Sequence, residues 1–239
     1  FIPFYFYQMG CLADSLQVPS VNLSSNGIAQ QLTTESVLRL QEIGTVVELA
    51  AGELLEPKEG QGRPVYFLLD AVVSLWIEPE TTGPRLALSL VGSEGMTGCS
   101  HLWPSAHPHW VSRVLKPGRA WQVDANQLNA LFLNMPDLTN AVCKFLWSQT
   151  LEIAQWSARM QLADIHAQLA LWLHLLQQKT GCQTLQITQQ ALADMMGTRR
   201  VSVTLAAGEL QSEGIVSLRR GKIQIDNLQA LAKAAGLAD

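Results

Sequence analysis

The chain has 239 residues, 48% of them hydrophobic and 15% charged, with a formal net charge of −4. This composition builds packed cores and excludes a disordered chain. It also excludes a protein that is basic throughout, and no apolar run reaches the roughly 18–20 residues needed to span a bilayer, so no membrane partner is expected.

Residues 1–29 read as an N-terminal arm. Its opening, Phe1-Ile2-Pro3-Phe4-Tyr5-Phe6-Tyr7, is apolar but lacks the basic start and cleavage site of a signal peptide. Residues 1–8 read as preceding the functional protein, with Met9 a candidate start. Cys11, Cys99, Cys143 and Cys182 are far apart and form no C-x-x-C pair. That pattern predicts reduced thiols in a cytoplasmic protein, and gives no zinc-ribbon or iron–sulfur signal.

Short apolar runs separated by turn residues fill the stretch from about Val46 to Val123. Val46–Leu49 precedes Gly52, Pro64–Leu69 follows Gly60 and Gly62, and Val72–Ile77 leads to a turn at Pro79–Pro84. Arg85–Val91 then gives way to Gly92. Runs so spaced, rich in β-branched and aromatic residues, predict a sandwich or closed β-roll over 30–136. Pro136 then opens a stretch without Gly or Pro to about Arg159. Leu138, Val142, Phe145, Gln149, Ile153, Trp156 and Met160 recur at steps of three or four, one stripe on a long helix. The stripe needs a cover, either the β-roll or a second copy of the helix. A further helix, Ile165–Lys179, carries Leu169, Leu173 and Leu176 or Trp172 inward and ends at Thr180-Gly181. The domain boundary falls near Met160–Ala163.

Leu185–Asp226 is the most informative stretch. Thr188 suits the N-cap of a helix Gln189–Met196, and Gly197 suits a tight turn of positive φ. Thr198 caps a second helix beginning Arg199-Arg200 and running to about Ser212. Ala193, Gly197, Val203 and Ala206 supply the small and apolar positions a helix-turn-helix needs where its helices touch. The outward face of the second helix begins with Thr198, Arg199, Arg200, Ser202 and Thr204, residue types that bond base edges and phosphates. Ile215–Leu218 and Ile223–Ile225 flank Arg219-Arg220-Gly221-Lys222, a hairpin with a basic glycine tip. Residues 1–165 hold 9 basic and 15 acidic residues, but 166–239 hold 7 basic and 5 acidic. Positive charge is thus concentrated on this unit, where a wing beside a recognition helix would grip the backbone of double-stranded DNA. The candidate DNA contacts are Thr188, Gln189, Thr198, Arg199, Arg200, Ser202, Thr204, Arg219, Arg220 and Lys222. No nucleophile–base set, Gly-rich phosphate loop or paired-carboxylate motif points to an enzyme.

The segment LQITQQALADMMGTRRVSVTLAAGELQSEGIVSLRRGKIQIDNLQAL resembles the winged helix of CRP/FNR transcription regulators. VYFLLDAVVSL and LVGSEGMTG resemble that family's cyclic-nucleotide-binding-like β-roll. The resemblance covers about residues 30–235. It implies an α+β chain with a β-roll effector-sensing domain at 30–136, a dimerisation helix at 137–162 and a winged helix-turn-helix at 163–239. It also implies a homodimer on a two-fold DNA site, with RNA polymerase a further partner of an activator. Leu138, Val142, Phe145, Gln149, Ile153 and Trp156 are the implied dimerisation residues. The family reads bases with an Arg-Glu pair and a later Arg. Here the first Arg matches Arg200, while the other two positions hold Val201 and Leu205.

The family's cyclic-nucleotide binders hold the phosphate with a Gly-Glu loop and a downstream Arg-Ser or Arg-Thr pair. The loop has a counterpart in Ser93-Glu94-Gly95-Met96, but the pair falls at Pro108-His109, with Arg113 one pleat away. A buried phosphate lacking its charged partner is costly, so cyclic AMP is not the expected effector. The effector stays unassigned, with Glu94, Gly95, Met96, Trp110 and Arg113 as candidate pocket residues. An alternative sensor uses Cys99, His101, His107 and His109, whose thiolate and imidazoles suit zinc or haem iron.

Overall fold

The computed structural model describes residues 22–57, 62–77, 86–103 and 110–237. Helix α1 (Thr34–Glu42) starts where the Thr33 side chain accepts from Ser36 N. Seven strands follow: β1 (Gly44–Leu49), β2 (Pro64–Leu68), β3 (Val72–Ile77), β4 (Leu86–Val91), β5 (Met96–Thr97), β6 (Trp110–Lys116) and β7 (Gly118–Asp124). They form two antiparallel sheets, ordered β1-β7-β2-β5 and β4-β3-β6. The sheets share an apolar core of Leu49, Tyr66, Leu68 and Ala120 from the first, and Val73, Leu75, Val91 and Val114 from the second. This is the predicted β-roll, a jelly-roll-like unit. The turn expected at Pro79–Pro84 and the strand residue Arg85 lie outside the described residues.

Helix α2 (Ala125–Phe132), capped by Asp124, leads into α3 (Pro136–Leu162), with Pro136 at its first turn as predicted. Asp137 ties α3 to α1. It accepts from Thr33 N at 3.0 Å, Thr33 Oγ1 at 3.2 Å and Ser36 Oγ at 2.9 Å. The Thr33 amide bond above all holds its carboxyl below the usual carboxylate range.

The apolar stripe of α3 corrects one expectation. Leu138 and Val142 are fully buried against Val65, Phe67 and Val123 of the β-roll, and Phe145 packs there too. Gly95 leaves room for it, since a Cβ at that position would stand 2.0 Å from Phe145 Cε2. Trp156 meets Trp172 edge-on, with ring centroids 4.6 Å apart. Leu138, Val142, Phe145 and Trp156 therefore pack within their own chain, and the burial of Leu138 and Val142 leaves those two no surface for a second copy. Of the other two, Gln149 lines a cavity described below, and Ile153 is half-buried. Helical periodicity shows that a face is covered but not by what.

Beyond α3 come α4 (Ile165–Thr180), β8 (Thr184–Leu185), α5 (Gln189–Met196), α6 (Arg200–Ser212), β9 (Val216–Arg219), β10 (Lys222–Ile225) and α7 (Leu228–Ala234). Asp164 caps α4, and Gly181 at φ +69° ends it. The core of this unit does not stop at its own elements. Leu169, Trp172, Leu173 and Leu176 of α4 share one apolar cluster with Val72, Trp76, Ala87, Leu90 and Leu115 from β3, β4 and β6. The apolar run of β3 follows from this, because one face meets the opposite sheet and the other meets α4 and its neighbours. Among the described residues Cys99 and Cys143 are free thiols. Among the described residues no helix is long and apolar enough to cross a membrane.

Asn26 pins the turn at Gly92–Gly95. Fully buried, it donates to Leu68 O at 2.9 Å and Gly95 O at 2.7 Å, and accepts from the amides of Ile28 and Ala29. Asn26→Ala removes four buried hydrogen bonds, leaving Gly95 O only its bond from Leu68 N, and is expected to cost about 3 kcal/mol of stability. Urea unfolding checks this, and a loss below about 0.5 kcal/mol would show that water replaces the amide without cost.

Candidate nucleic-acid interface and adjoining cavity

The helix-turn-helix forms as its residues require. The Thr188 side chain accepts from Ala191 N, and Gly197 closes α5 at φ +62°, bonding back to the carbonyls of Ala193 and Asp194. A side chain at Gly197 would also collide with Leu86 of β4. Helix α6 begins at Arg200, with Arg199 in the cap position and no side-chain cap bond. Thr198 precedes the cap, which corrects the expected assignment. An arginine there leaves the first amides of α6 without a side-chain acceptor.

Val203, Ala206, Ala207 and Leu210 form the inner face of α6 against α4 and α5. Its outer face carries Arg200, Val201, Thr204, Leu205 and Gly208, all exposed, with Ser202 half-buried at the side. Thr204 Oγ1 donates to Gln189 Oε1 at 2.8 Å and approaches Arg200 O at 3.0 Å. That contact joins the two helices and was invisible in the sequence. Strands β9 and β10 pair with Arg219 opposite Lys222, so Arg220 and Gly221 make a two-residue hairpin with Gly221 at φ +71°. β8 adds a third strand, and β9 packs on α6. Among the described residues Arg199, Arg200, Arg219, Arg220 and Lys222 bear no ion-pair partner, although α6 holds Glu209 and ends at Glu213, which faces His166 at 3.4 Å. Five unneutralised cations at the head of one helix and the tip of the adjoining hairpin suit a polyanion.

A cavity of about 530 Å³ lies between the β-roll interior and α3, lined by Leu75, Met96, Cys99, His101, Trp103, Trp110, Ser112, Leu146 and Gln149 among others. Of the expected pocket residues it contains Met96 and Trp110. The others sit elsewhere. Glu94 receives the Lys179 ammonium at 2.7 Å and the Gly92 amide at 3.0 Å, and Gly95 is against Phe145. Strand alternation puts Arg113 with Val111 and Leu115, on the face opposite Ser112. Among the described residues Glu56 is the one carboxylate in the lining, and no lysine or arginine is part of it. Burial pushes the Cys99 thiol up to about 12, so it is protonated at neutral pH. His101 Nδ1 bonds Pro64 O at 2.7 Å. Among the described residues no group of three His, Cys, Asp or Glu could hold a metal. His107, His109 and Pro108 lie outside them.

Residues 167–234 match the family model described as a Crp-like helix-turn-helix domain. The global nitrogen regulator of Synechocystis sp. is 24% identical over 178 residues, covering 71% of this chain and 79% of that protein. A transcriptional regulator of the crp/fnr family from Eubacterium rectale superposes with a TM-score of 0.72 at 16% identity, over 89% of this chain and all but 1% of that one, 99% being covered. The c-di-GMP-responsive global regulator CLP of Xanthomonas campestris gives 0.68 at 17% identity, over 82% of this chain and 100% of that one. These structural likenesses establish the fold.

The two free thiols should differ in reactivity. Iodoacetamide at pH 7.5 is expected to label exposed Cys143 promptly and Cys99 only after unfolding, as mass spectrometry of the digested protein would show. Equal labelling rates would mean that the cavity wall opens to solvent.

Proposed function

We propose that this chain, in which a Crp-like helix-turn-helix domain completes the fold of CRP/FNR regulators, is a sequence-specific DNA-binding transcription regulator acting as a homodimer. The observation that carries this reading is the set of cations at the head of α6 and on the wing that have no ion-pair partner among the described residues, on a unit whose α6 packs inward through Val203, Ala206, Ala207 and Leu210. Arg200 contacts base edges, while Arg219, Arg220 and Lys222 grip the flanking phosphates. Arg199, Thr198, Ser202 and the Thr188–Gln189 cap complete the contact surface.

The second copy packs on the face of α3 that its own chain leaves bare. Trp147, Leu151, Ala154 and Ala158 are exposed and spaced by four, three and four residues, a coiled-coil seam. Trp147 is 64% and Leu151 43% exposed. A solitary helix would not keep such a stripe in water.

Sensing belongs to the cavity beside this helix. Its largely apolar lining, without lysine or arginine among the described residues, suits an uncharged molecule better than a cyclic phosphate, which needs a counter-charge. Met96 in its wall follows the Gly92–Gly95 turn. There Lys179 of α4 bonds both Glu94 and, at 3.4 Å, Glu152 of α3. A ligand that moves this turn acts on α3 and α4 together and so on the spacing of the two recognition helices.

In competition binding, Arg200→Ala is expected to narrow the gap between preferred and random duplexes by about tenfold or more. Lys222→Ala is expected to weaken all duplexes alike and to reduce the salt slope by about one. Equal affinity of the wild type for every duplex would refute the reading. Sedimentation equilibrium tests the seam. Leu151→Glu should give a monomer, whereas Val142→Ala should lower stability and keep the dimer mass. A dimeric Leu151→Glu variant would place the seam elsewhere.

A further inference from the structure

We infer that Val201 and Leu205 read thymine methyl groups in the major groove, so that this protein selects part of its site by apolar rather than ionic contact. The inference rests on the DNA-binding reading and deepens it. Val201 and Leu205 stand one turn apart on the outer face of α6, 68% and 65% exposed, and belong to no core cluster. Among the described residues nothing packs on either position in a way that requires an apolar side chain there. Val201 follows directly on Arg199 and Arg200, and Leu205 stands one turn beyond; among the described residues neither arginine has an ion-pair partner, so the surface around the two apolar side chains is complementary to a polyanion.

Two neighbouring features narrow the chemistry. The Thr204 hydroxyl lies between Val201 and Leu205 on the same face, but its one proton is taken up within the chain, with Gln189 Oε1 at 2.8 Å and Arg200 O at 3.0 Å as acceptors. The middle of the face therefore has no free hydroxyl donor, and Gln189 is left with its amide N–H groups as outward donors. Gly208 continues the stripe one turn further. A Cβ there would meet nothing within 4 Å. A glycine inside a helix lowers stability relative to alanine, and here intrachain packing does not ask for one. Its absent side chain lets the helix backbone approach a partner closely.

Beneath such a face, a guanine, cytosine or adenine edge would lose water from its polar atoms without regaining a partner. Thymine alone presents a methyl group in the major groove. Arg200, one position earlier, still provides paired donors for a guanine edge. The expected half-site therefore combines a guanine under Arg200 with one or two thymines under Val201 and Leu205.

The test starts from a duplex that the wild-type protein retains from random-sequence DNA. Each thymine is replaced in turn by deoxyuridine, which removes only the 5-methyl group. Wild type is expected to lose about three- to fivefold in affinity at particular thymines in each half-site, the scale of one buried methyl. Val201→Ala or Leu205→Ala should be insensitive at those same thymines while retaining the salt dependence of the wild type. If deoxyuridine has no effect at any position while Arg200→Ala still relaxes preference, methyl reading is wrong and the regulator reading stands. If no duplex is enriched at all, both fall together.

Discussion

The apolar outer face of the β4-β3-β6 sheet is the constraint on which the rest of the molecule depends. Trp76, Leu90 and Leu115 would meet water if the C-terminal unit were absent, and so would Trp172, Leu173 and Leu176 on the other side. Burial of each large apolar side chain contributes on the order of 1.5–3 kcal/mol. The helix-turn-helix is therefore held against the β-roll by a dry core rather than tethered by a linker. Packed cores move between discrete arrangements instead of deforming smoothly. A signal arising in the β-roll thus has a rigid route to α5 and α6, and Gly197 against Leu86 shows how closely the turn of the motif sits on β4.

Around this core, polar contacts converge on one short turn. Gly92–Gly95 is held by Asn26 from the N-terminal segment, by Phe145 of α3 across Gly95, and by Lys179 of α4 through Glu94. Lys179 also reaches Glu152. Partly exposed ion pairs of this kind contribute little to stability. Their consequence here is positional, because three parts of the chain share one anchor beside the cavity.

Local chemistry made much of the fold legible in the sequence. Gly197, Gly181, Pro136 and the Thr188 cap each fix a helix end by a rule that acts over a few residues, and all four lie where that rule puts them. The wing was readable from its alternating strands and Gly221. Long-range partnerships were not. The stripe from Leu138 to Trp156 announced a buried face, but only tertiary structure shows that the β-roll and α4 cover it. The same holds for Glu94, whose loop was visible but whose partner Lys179 lies 85 residues away. The lesser stripe Trp147-Leu151-Ala154-Ala158 carried a coiled-coil spacing that could have been found, but larger apolar residues on the opposite face outweighed it.

The account as a whole requires two copies of α6 to enter successive major grooves on one side of a duplex. Sequencing the duplexes that the protein retains from a random pool tests this most directly. The account predicts an inverted repeat whose half-site centres lie one helical turn apart, about 10 base pairs, or a whole multiple of that distance. A pool without enrichment, or one enriched for a lone asymmetric half-site, would contradict it.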